Sequence, residues 1–514
     1  MAEKPVIKHI YPGDIMTGST GKKITFHLHL PRPRFLLDGH SHIQSGACAP
    51  LPLIWAQNPI TDKLHFRRPF LNLVAPLFTG SGGRIQKLTT EKIGAKLAGE
   101  IGRTVAPDSP LRNSGDDDFF AASFIMLMDM DYAHIAGFKG SPVYHEDGRK
   151  VVYYPREDAH AEETAVRPDV LSHERPNMVW VYQHYIKQYR STKNAVLKNP
   201  WKLIPMFHYD PRRWRNPAGG KMDKENWNFG PWDFPFEHIA TAKKTGIFIG
   251  FKMYPPLGYK PLDHRLPYIE QFYKQCAERK IPLLTHCSPG GMTTHEDRFY
   301  YQLDGVNLET YGKNNAHFIL GYNPATPEGY FQDAYVHPKN WRPALELNNG
   351  LKLCLAHLGG NEWTAVGIES DWIQEIVRLT KEFPNVYTDV SCYNLEDDAM
   401  RNNIEVLLEQ VRDNPDYHHL QDKLIFGVDW YLSMITGAPE YREYVELFFR
   451  LIKEIDEEQW WRSTVVNPAR FYGLDNPDII ENMYSAMEDN KADREKREHG
   501  YEKVKKISEY INTL

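Results

Sequence analysis

The sequence predicts an α/β fold, a (β/α)8 barrel in which parallel strands alternate with helices. Eight short apolar runs rich in β-branched or aromatic residues recur along the 514-residue chain, each ending in a polar or ionisable residue. Amphipathic stretches of helical length precede several runs, such as LPYIEQFYKQCAERK before the fifth and DWIQEIVRLTKEF before the seventh. This alternation is the pattern expected of a parallel sheet covered by helices.

The eight candidate strands are FLLDGHSH (35–42), FIMLMDMDYAH (124–134), KLIPMFHYD (202–210), GIFIGFKMYPP (246–256), IPLLTHCSPGG (281–291), LKLCLAHLGG (351–360), NVYTDVSCY (385–393) and KLIFGVDWY (423–431). The polar residues that mark the last five ends are Lys252, His286, His357, Asp389 and Asp429, with spacings of 34, 71, 32 and 40 positions. One βα unit needs roughly 30 residues, because a barrel of eight averages about 250. Three spacings therefore fit one unit each, and the spacing of 71 predicts an insertion.

Three regions of the chain follow from this pattern. We expect an N-terminal extension at 1–34, the barrel at 35–475 and a charged helical tail at 476–514. Insertions are predicted near 44–120, 140–200 and 292–336. Additions between a strand and its following helix lie on the catalytic face of a barrel, so these segments are candidates for a lid and a substrate pocket. The tail has two interpretations, a solvated surface helix or a contact in a homo-oligomer.

Composition narrows the class of partner and the compartment. A net charge of -6 provides no basic field for nucleic acid or for an anionic membrane, and no run of 18 apolar residues occurs. The five cysteines are scattered, without a CxxC pair, so neither a disulfide framework nor a thiolate zinc site is indicated. We expect a cytoplasmic protein that acts on a small-molecule substrate.

Two His-x-His pairs offer a contrast within one sequence. His27 and His29 alternate with apolar residues in ITFHLHLP, a pattern typical of a half-exposed strand with one polar face. His40 and His42 instead follow the apolar run FLL, at the position where a strand ends. In a parallel barrel the carboxyl ends of the strands carry the chemistry. We therefore expect the second pair, and not the first, to bind metal.

Further metal-ligand types follow the other apolar runs. Taken singly, a histidine such as His286 or His357 is usually a structural cap or core-edge residue, and Asp429 could cap the following helix. Together with His40 and His42 they all follow strand candidates, whose ends converge in a closed barrel. Neutral imidazole and carboxylate bind a divalent metal, with zinc the expected ion and manganese, iron or nickel the alternatives.

The motifs DGHSH, THCSPGG, AHLGG and FGVDW resemble those after strands 1, 5, 6 and 8 of the amidohydrolase superfamily. The resemblance runs from about residue 35 to NPARFYGL at 467–474, and it is nearest to the amidohydrolase-related branch that also contains metal-dependent decarboxylases. It implies a (β/α)8 barrel in which His40 and His42 bind one metal, His286 and His357 bind or face a second, and Asp429 binds metal and carries protons.

Lys252 in GFKMYPP leaves the number of metals open. In the binuclear branches of this superfamily a carboxylated lysine at the end of strand 4 bridges two ions, since an unmodified ammonium would be repelled by them. In the mononuclear, decarboxylase-like branch Lys252 would remain an ammonium that hydrogen-bonds a substrate carboxylate or Asp429, with His357 acting on the substrate. The sequence does not choose between these two roles.

The predicted activity is metal-dependent hydrolysis of an amide, lactone or ester carbonyl in a small molecule. Metal-activated water would attack, with Asp429 as the proton carrier. One alternative is a lyase, a non-oxidative decarboxylase of an aromatic or unsaturated acid. A second is a metal-binding barrel that serves as a binding or assembly subunit.

Several other residues are candidates for the substrate pocket. His208, Asp210 and Arg212 follow the third strand candidate, and Tyr254 and Trp430 directly follow proposed ligands. Asp129, Asp131 and His134 follow the second candidate, and Arg213 extends the basic pair. Asp38 is a candidate acceptor for a histidine N–H, or a cap for the turn.

Overall fold

The computed structural model describes residues 15–17, 23–25, 34–43, 89–111, 119–129, 141–144, 150–153, 178–222, 227, 230–257, 259–263, 266, 268–289, 291–294, 298–303, 306–311, 316–319, 335–360, 362, 366–395, 397–430 and 441–514. The predictions for four residues lie outside the described part of the chain. They are the strand containing His27 and His29 and the pocket roles of Asp131 and His134.

Eight parallel strands form the core of the molecule, one within or overlapping each predicted run. They are β1 (Phe35–Ser41), β2 (Phe120–Met126), β3 (Leu203–His208), β4 (Gly250–Met253), β5 (Leu283–His286), β6 (Leu353–Ala356), β7 (Val386–Val390) and β8 (Leu424–Phe426). Every residue of these strands is buried. The second strand begins at Phe120, four residues before its prediction, because the small residues Ala121 and Ala122 continue the apolar run on the other side of Ser123.

The strands are arranged in chain order around a barrel. Each of the seven neighbouring pairs from β1 to β8 is parallel. A parallel bridge between Ser41 and Trp430 joins the end of β1 to the residues after β8, and the His42 N–H donates to the Trp430 carbonyl at 3.0 Å. The (β/α)8 barrel predicted from the sequence is confirmed.

Helices pack around this sheet. They are α1 (Thr90–Thr104), α2 (Met178–Lys198), α3 (Ile269–Glu278), α4 (Arg342–Leu347), α5 (Asp371–Glu382), α6 (Asp398–Asp413), α7 (Tyr441–Ile455), α8 (Glu457–Trp461), α9 (Asn467–Tyr472), α10 (Pro477–Asp489) and α11 (Arg494–Ile511). The two predicted amphipathic segments form α3 and α5. In α5 the side chains of Trp372, Ile373 and Ile376 lie on one buried face, at the spacing of a helix that covers a sheet.

The predicted insertions contain additional elements. Between β5 and β6 the chain forms two antiparallel pairs, Gly291–Thr294 with Ala316–Ile319 and Arg298–Leu303 with Val306–Tyr311. A third pair, Ser141–Tyr144 with Lys150–Tyr153, lies between β2 and β3. Helix α1 lies in the predicted insertion between β1 and β2, and α2 lies in the one between β2 and β3. The proposed domain boundaries and the lid role of these intervals stay predictions.

The charged C-terminal segment is helical, as expected. Helix α11 buries Val504, Ile507 and Ile511, so one face packs against the protein, while most of its charged residues other than Arg497 are exposed. Within the described residues, no helix has both the length and the apolar character needed to cross a bilayer.

Candidate metal centre and active site

The carboxyl ends of four barrel strands bring these predicted metal ligands together. His40 and His42 come from the end of β1, and His286 ends β5. His357 directly follows β6, and Asp429 lies three residues after the end of β8. The ring centroids of His40 and His42 are 5.3 Å apart, those of His40 and His357 are 5.0 Å apart, and those of His286 and His357 are 4.9 Å apart. All of these side chains are buried. The convergence expected from strand ends is therefore present in the structure.

Three consecutive strands end in a residue with left-handed backbone that is not glycine. The φ angle is 70° at His357, 65° at Cys392 and 53° at Asp429. Such conformations cost roughly 1–3 kcal/mol each and cluster at functional sites, where surrounding contacts maintain them. At Asp429 the contact is short, since its N–H donates to the His40 carbonyl at 2.6 Å. A side chain at Gly427 would meet the His40 Cβ at 2.8 Å, so this glycine permits the close approach of β8 to β1.

Three acceptor atoms converge at the mouth of the barrel. His42 Nδ1 lies 3.1 Å from the Met126 carbonyl, which can only accept, so Nδ1 carries a proton, and in the neutral imidazole His42 Nε2 presents a lone pair. That Nε2 lies 3.2 Å from Asp429 Oδ1, and His40 Nε2 lies 3.7 Å from the same oxygen. Among the described residues no donor is aligned with Asp429 Oδ1.

This arrangement fits a divalent cation. His40, His42 and Asp429 each offer one ligand atom, and these atoms lie within 4.8 Å of one another. Burial would raise the pKa of the Asp429 carboxyl, yet the neighbouring imidazoles hold it well below its usual value, so the group is an anion. Lone pairs that face one another in a buried site repel unless a cation or a proton lies between them. The residues therefore fit the metal that the sequence predicts.

Asp389 is a central residue of the site to which the sequence assigned no chemical role. Its Oδ2 lies 3.0 Å from His40 Nδ1, and its Oδ1 accepts the His357 backbone N–H at 2.9 Å and the Ser391 hydroxyl at 2.5 Å. Burial opposes ionisation, but these contacts lower the pKa of Asp389 to about 2. The position of Asp389 at the end of a strand candidate was a signal that a role existed.

His40, His357 and Asp389 form a second close group, with ligand atoms also within 4.8 Å of one another. In this group, however, both carboxylate oxygens already accept hydrogen bonds. Hydrogen bonds from metal-binding histidines to a carboxylate orient the rings and increase their basicity. The arrangement is therefore better suited to supporting a metal site than to forming one.

Lys252 lies beside the same centre. Its Nζ is 3.2 Å from His40 Nε2, and the side chain is buried. Burial lowers the pKa of Lys252 to about 8, against the opposing effect of Asp429 and Asp389. The ammonium thus donates to the nitrogen that a metal would bind.

Asp38 links the end of β1 to the residues after β8, where the barrel closes. It accepts the backbone N–H groups of His40 at 3.2 Å and Val428 at 3.0 Å, and the hydroxyl groups of Ser41 and Ser123 at 2.7 Å each. Burial raises its pKa to about 6 despite these donors. Asp38 therefore caps the strand end through the backbone of His40 rather than through an imidazole.

The remaining predicted residues surround this centre. His286 Nε2 lies 3.2 Å from the Ser288 hydroxyl, and the His286 ring is 4.7 Å from that of Tyr254. His286 belongs to neither of the two three-residue groups found among the described residues. Trp430 is buried where β1 meets the residues after β8.

His208 lies on the other side of Lys252. The two residues pair in register on β3 and β4, so their side chains point to the same side of the sheet. His208 Nδ1 contacts the Leu127 carbonyl at 3.3 Å, which leaves Nε2 as an acceptor, and that atom is buried without a hydrogen-bond partner among the described residues. Burial lowers the pKa of His208 to about 4.

Two buried ion pairs follow β2 and β3. Arg212 donates to both oxygens of Asp210 at 3.0 and 2.7 Å and to the Leu257 carbonyl at 2.6 Å. Arg213 donates to both oxygens of Asp129 at 2.5 and 3.0 Å. The structure brings Asp210 and Arg212 together as a pair; their predicted contact with substrate stays a prediction.

Comparison with known proteins gives a family for much of the barrel. Residues 235–474 match the family model described as Amidohydrolase. The match covers β4 to β8, and so includes Lys252, His286, His357 and Asp429, while the histidines of β1 lie outside it. The match supports the resemblance to the amidohydrolase superfamily, and it indicates an enzyme related to metal-dependent hydrolases and decarboxylases.

Solved structures similar to this chain include a probable 2-pyrone-4,6-dicarboxylic acid hydrolase from Acinetobacter baumannii with bound citric acid. Its identity is 10% and its TM-score 0.41, over 85% of this chain and 99% of that one. An amidohydrolase from Burkholderia multivorans with bound zinc has 14% identity and a TM-score of 0.35, over 62% and 93%. A 2,6-dihydroxybenzoate decarboxylase in complex with 2,6-dihydroxybenzoate has 13% identity and a TM-score of 0.35, over 86% and 99%. Comparison with curated sequences found no match.

Proposed function

We propose that this protein is a metal-dependent hydrolase of the amidohydrolase superfamily that cleaves an amide, lactone or ester bond in a small molecule. The observation that supports this most directly is the convergence of His40 Nε2, His42 Nε2 and Asp429 Oδ1 as three acceptors in a buried site. Each imidazole has its Nδ1 occupied by a contact to an acceptor, so the nitrogens that face one another carry lone pairs.

His40, His42 and Asp429 would hold the metal. Two imidazoles and one carboxylate are a ligand set of catalytic zinc sites, and manganese, iron or nickel are the alternatives. We propose one tightly held ion, because the second close group of ligands shares His40 and has both Asp389 oxygens occupied. His286 and His357 would then face the substrate or a weaker second ion. A bound metal would supply a Lewis acid for the substrate carbonyl and for the attacking water.

The residues of the chain would perform the proton transfer. Among the described residues no donor is aligned with Asp429 Oδ1, so this oxygen is available to accept a proton from water and to return it to the leaving group. His357 would contact the substrate from the neighbouring strand end. Burial of the whole group excludes bulk water and strengthens each of these electrostatic contacts.

The substrate pocket would extend from Lys252 towards β3. His208 Nε2 is an open acceptor on that side, suited to a hydroxyl or N–H of a substrate. Tyr254 and Trp430 would form walls next to the ligands. Asp210 and Arg212 would shape the far wall as an ion pair.

Lys252 supports a second candidate, a non-oxidative decarboxylase. A buried ammonium 3.2 Å from a proposed metal ligand is suited to holding a substrate carboxylate, the group that a decarboxylase must bind and release. If Lys252 is instead carboxylated, it would bridge two ions, and the hydrolase would be binuclear. A barrel that binds metal only to support a partner is the third candidate.

Metal content per chain, measured by inductively coupled plasma mass spectrometry on protein purified without chelator, tests the site. We expect about one equivalent in the natural chain and none in the double variant His40→Ala/His42→Ala. The matched control is His27→Ala/His29→Ala, which removes the same His-x-His spacing elsewhere and should retain the metal. Loss of metal in the control with retention in the site variant would contradict the assignment.

The reaction is tested on the metal-loaded protein. Panels of small lactones, esters and amides are assayed for acid release, and aromatic and unsaturated acids are assayed for carbon dioxide. Turnover of the first panel that is lost in His40→Ala/His42→Ala supports the hydrolase. Carbon dioxide release alone would replace it with the decarboxylase, two metal equivalents would favour carboxylated Lys252, and absence of metal after supplementation would favour the binding subunit.

A further inference from the structure

Asp389 and Ser391 lie between two of the site histidines, and their contacts determine where the protons are. We infer that Ser391 is a positioning residue that links His357 to the Asp389 carboxylate, so that His357 and His40 both carry a proton on Nδ1 and turn Nε2 lone pairs towards the site. The inference deepens the proposed function and rests on it for its catalytic meaning, but the proton positions themselves follow from the contacts alone.

The His40 proton is assigned first. Asp389 Oδ2 lies 3.0 Å from His40 Nδ1, and both atoms are fully buried. An ionised carboxylate can only accept a hydrogen bond, so the imidazole must donate. In the neutral imidazole the ring proton is therefore on Nδ1. The Nε2 atom then accepts from Lys252 Nζ at 3.2 Å, in agreement with this tautomer.

The His357 proton follows from the single hydrogen of a serine hydroxyl. Ser391 Oγ is 2.5 Å from Asp389 Oδ1, 2.9 Å from His357 Nδ1 and 3.3 Å from His40 Nδ1, which has the shorter contact to Asp389. The carboxylate cannot donate, so the Ser391 hydrogen points to Asp389. The Ser391 oxygen is then the acceptor for His357, and His357 Nδ1 must carry the proton. One carboxylate thus sets two tautomers, directly at His40 and through a hydroxyl at His357.

Residues at the end of the neighbouring strand β7 hold the backbone of His357, which follows β6. Its N–H donates to Asp389 Oδ1 at 2.9 Å, and its carbonyl accepts the Tyr393 hydroxyl at 2.7 Å. These contacts maintain the left-handed conformation at His357, where φ is 70°. They do not depend on the Ser391 hydroxyl. Removing that hydroxyl should therefore leave the His357 backbone in place and release only the ring proton.

The geometry of the two rings gives the arrangement its functional consequence. The rings of His40 and His357 stack with centroids 5.0 Å apart and an interplanar angle of 26°. With both Nδ1 atoms held on the Asp389 and Ser391 side, both Nε2 atoms are on the opposite edges. A tautomer change at His357 would replace a lone pair with an N–H, which can neither bind metal nor accept a proton from substrate.

The test is the ¹⁵N NMR spectrum of metal-free protein labelled on histidine, in which long-range couplings to the ring carbon protons identify the protonated nitrogen. His40 and His357 are assigned with His40→Gln and His357→Gln. In the natural chain we expect Nδ1–H for both. In Ser391→Ala we expect His357 to shift to a mixture of tautomers or to Nε2–H, with His40 unchanged.

Three further variants separate positioning from general packing. Ser391→Thr retains a hydroxyl and should restore the natural His357 signal, or, if the added methyl group unfolds the chain, Asp389→Asn provides the second test by altering both histidines. Ser288→Ala is the matched control, because it removes another buried hydroxyl that contacts a site histidine, His286, at 3.2 Å. It should change neither His40 nor His357.

An unchanged His357 signal in Ser391→Ala would overturn the inference, as would Nε2–H at His357 in the natural chain. Metal affinity gives an independent reading, since loss of a carboxylate that orients a ligand typically costs about 10–100-fold. Asp389→Asn should therefore weaken metal binding by that factor. If the natural chain binds no metal but both Nδ1–H signals are present, the proposed function fails and the positioning role of Ser391 stands.

Discussion

Two groups of buried charged residues at the mouth of the barrel differ in how they are satisfied. The paired cluster is Asp129 with Arg213 and Asp210 with Arg212, after β2 and β3. The open cluster is His40, His42, Lys252, His357 and Asp429, on β1, β4, β6 and β8. In the paired cluster each guanidinium binds both oxygens of one carboxylate. In the open cluster, acceptors face one another with Lys252 as the donor.

This difference distinguishes a structural cluster from a functional one. Bidentate pairs with a further carbonyl contact compensate the loss of hydration within the protein, so they need no ligand. An open set of acceptors lacks that compensation and is satisfied only when a cation or a substrate binds. Of the three left-handed residues, His357 and Asp429 belong to the open cluster, and Cys392 follows the strand between theirs. The four residues of the paired cluster have no such backbone conformation.

The largest expected effect comes from Asp429→Asn in the open cluster. The substitution keeps the shape of the side chain but removes the charge and the proton-accepting oxygen, so kcat/KM should fall by about 10²–10⁴-fold. The variant should remain folded, because asparagine keeps the size and shape of the side chain. Steady-state kinetics and thermal unfolding of the same preparation check both statements. Full activity in a folded variant would remove Asp429 from the mechanism.

The next effect is expected from Arg213→Met in the paired cluster, with the opposite signature. Removing the guanidinium leaves the buried Asp129 carboxylate without its bidentate partner, which should lower the free energy of unfolding by about 3–5 kcal/mol. Urea unfolding followed by circular dichroism measures the change. Replacing both members, Asp129→Leu/Arg213→Met, should recover most of it, and metal content of the folded protein should be unchanged. A large loss of metal would mean that the two clusters are not independent.

The fold could be predicted from the sequence because the signal repeats. Each barrel strand is fully buried, so it is an apolar run, and each run ends where polar residues reach the mouth. Errors were confined to bounds, as at Phe120, where small residues extend a strand without strong β-propensity. The short antiparallel pairs within the insertions were not predicted, since such pairs have little periodicity.

The site was predictable only in part. Histidines and Asp429 are recognisable because their types are metal ligands and their positions are strand ends. The role of Asp389 depends on contacts across 32 positions to His357 and 349 to His40, which spacing cannot reveal. Likewise, the sequence predicted Arg212 as a residue of the substrate pocket, and only the structure shows that its guanidinium already donates to both oxygens of Asp210.

A smaller, pH-dependent effect is expected at His208, which lies between the two clusters. Its pKa is about 4 in the folded chain against an ordinary 6.5, because burial disfavours the imidazolium. Between pH 6.5 and 4 the unfolded chain binds more protons at this residue, so the free energy of unfolding falls as the pH is lowered through that window. The shift corresponds to about 3 kcal/mol.

The measurement compares urea unfolding of the natural chain and His208→Gln at several pH values from 7 to 4. The variant should lose about 3 kcal/mol less than the natural chain over this window. Asp38, whose pKa is raised to about 6, acts in the opposite direction in the same window but is present in both proteins. Parallel curves for the two proteins would show that His208 does not titrate in this way.

The smallest effect is expected from Arg212→Lys, which tests whether the paired cluster is closed to substrate. Lysine retains the charge beside Asp210 but loses the two parallel hydrogen bonds and the contact to the Leu257 carbonyl, so stability should fall by about 1–2 kcal/mol. KM should not change, because the guanidinium donors are already directed at protein acceptors. A rise in KM for a carboxylate-bearing substrate, without the loss of stability, would instead show that Arg212 leaves Asp210 to bind that substrate. Arg212, which follows β3, would then belong to the open cluster.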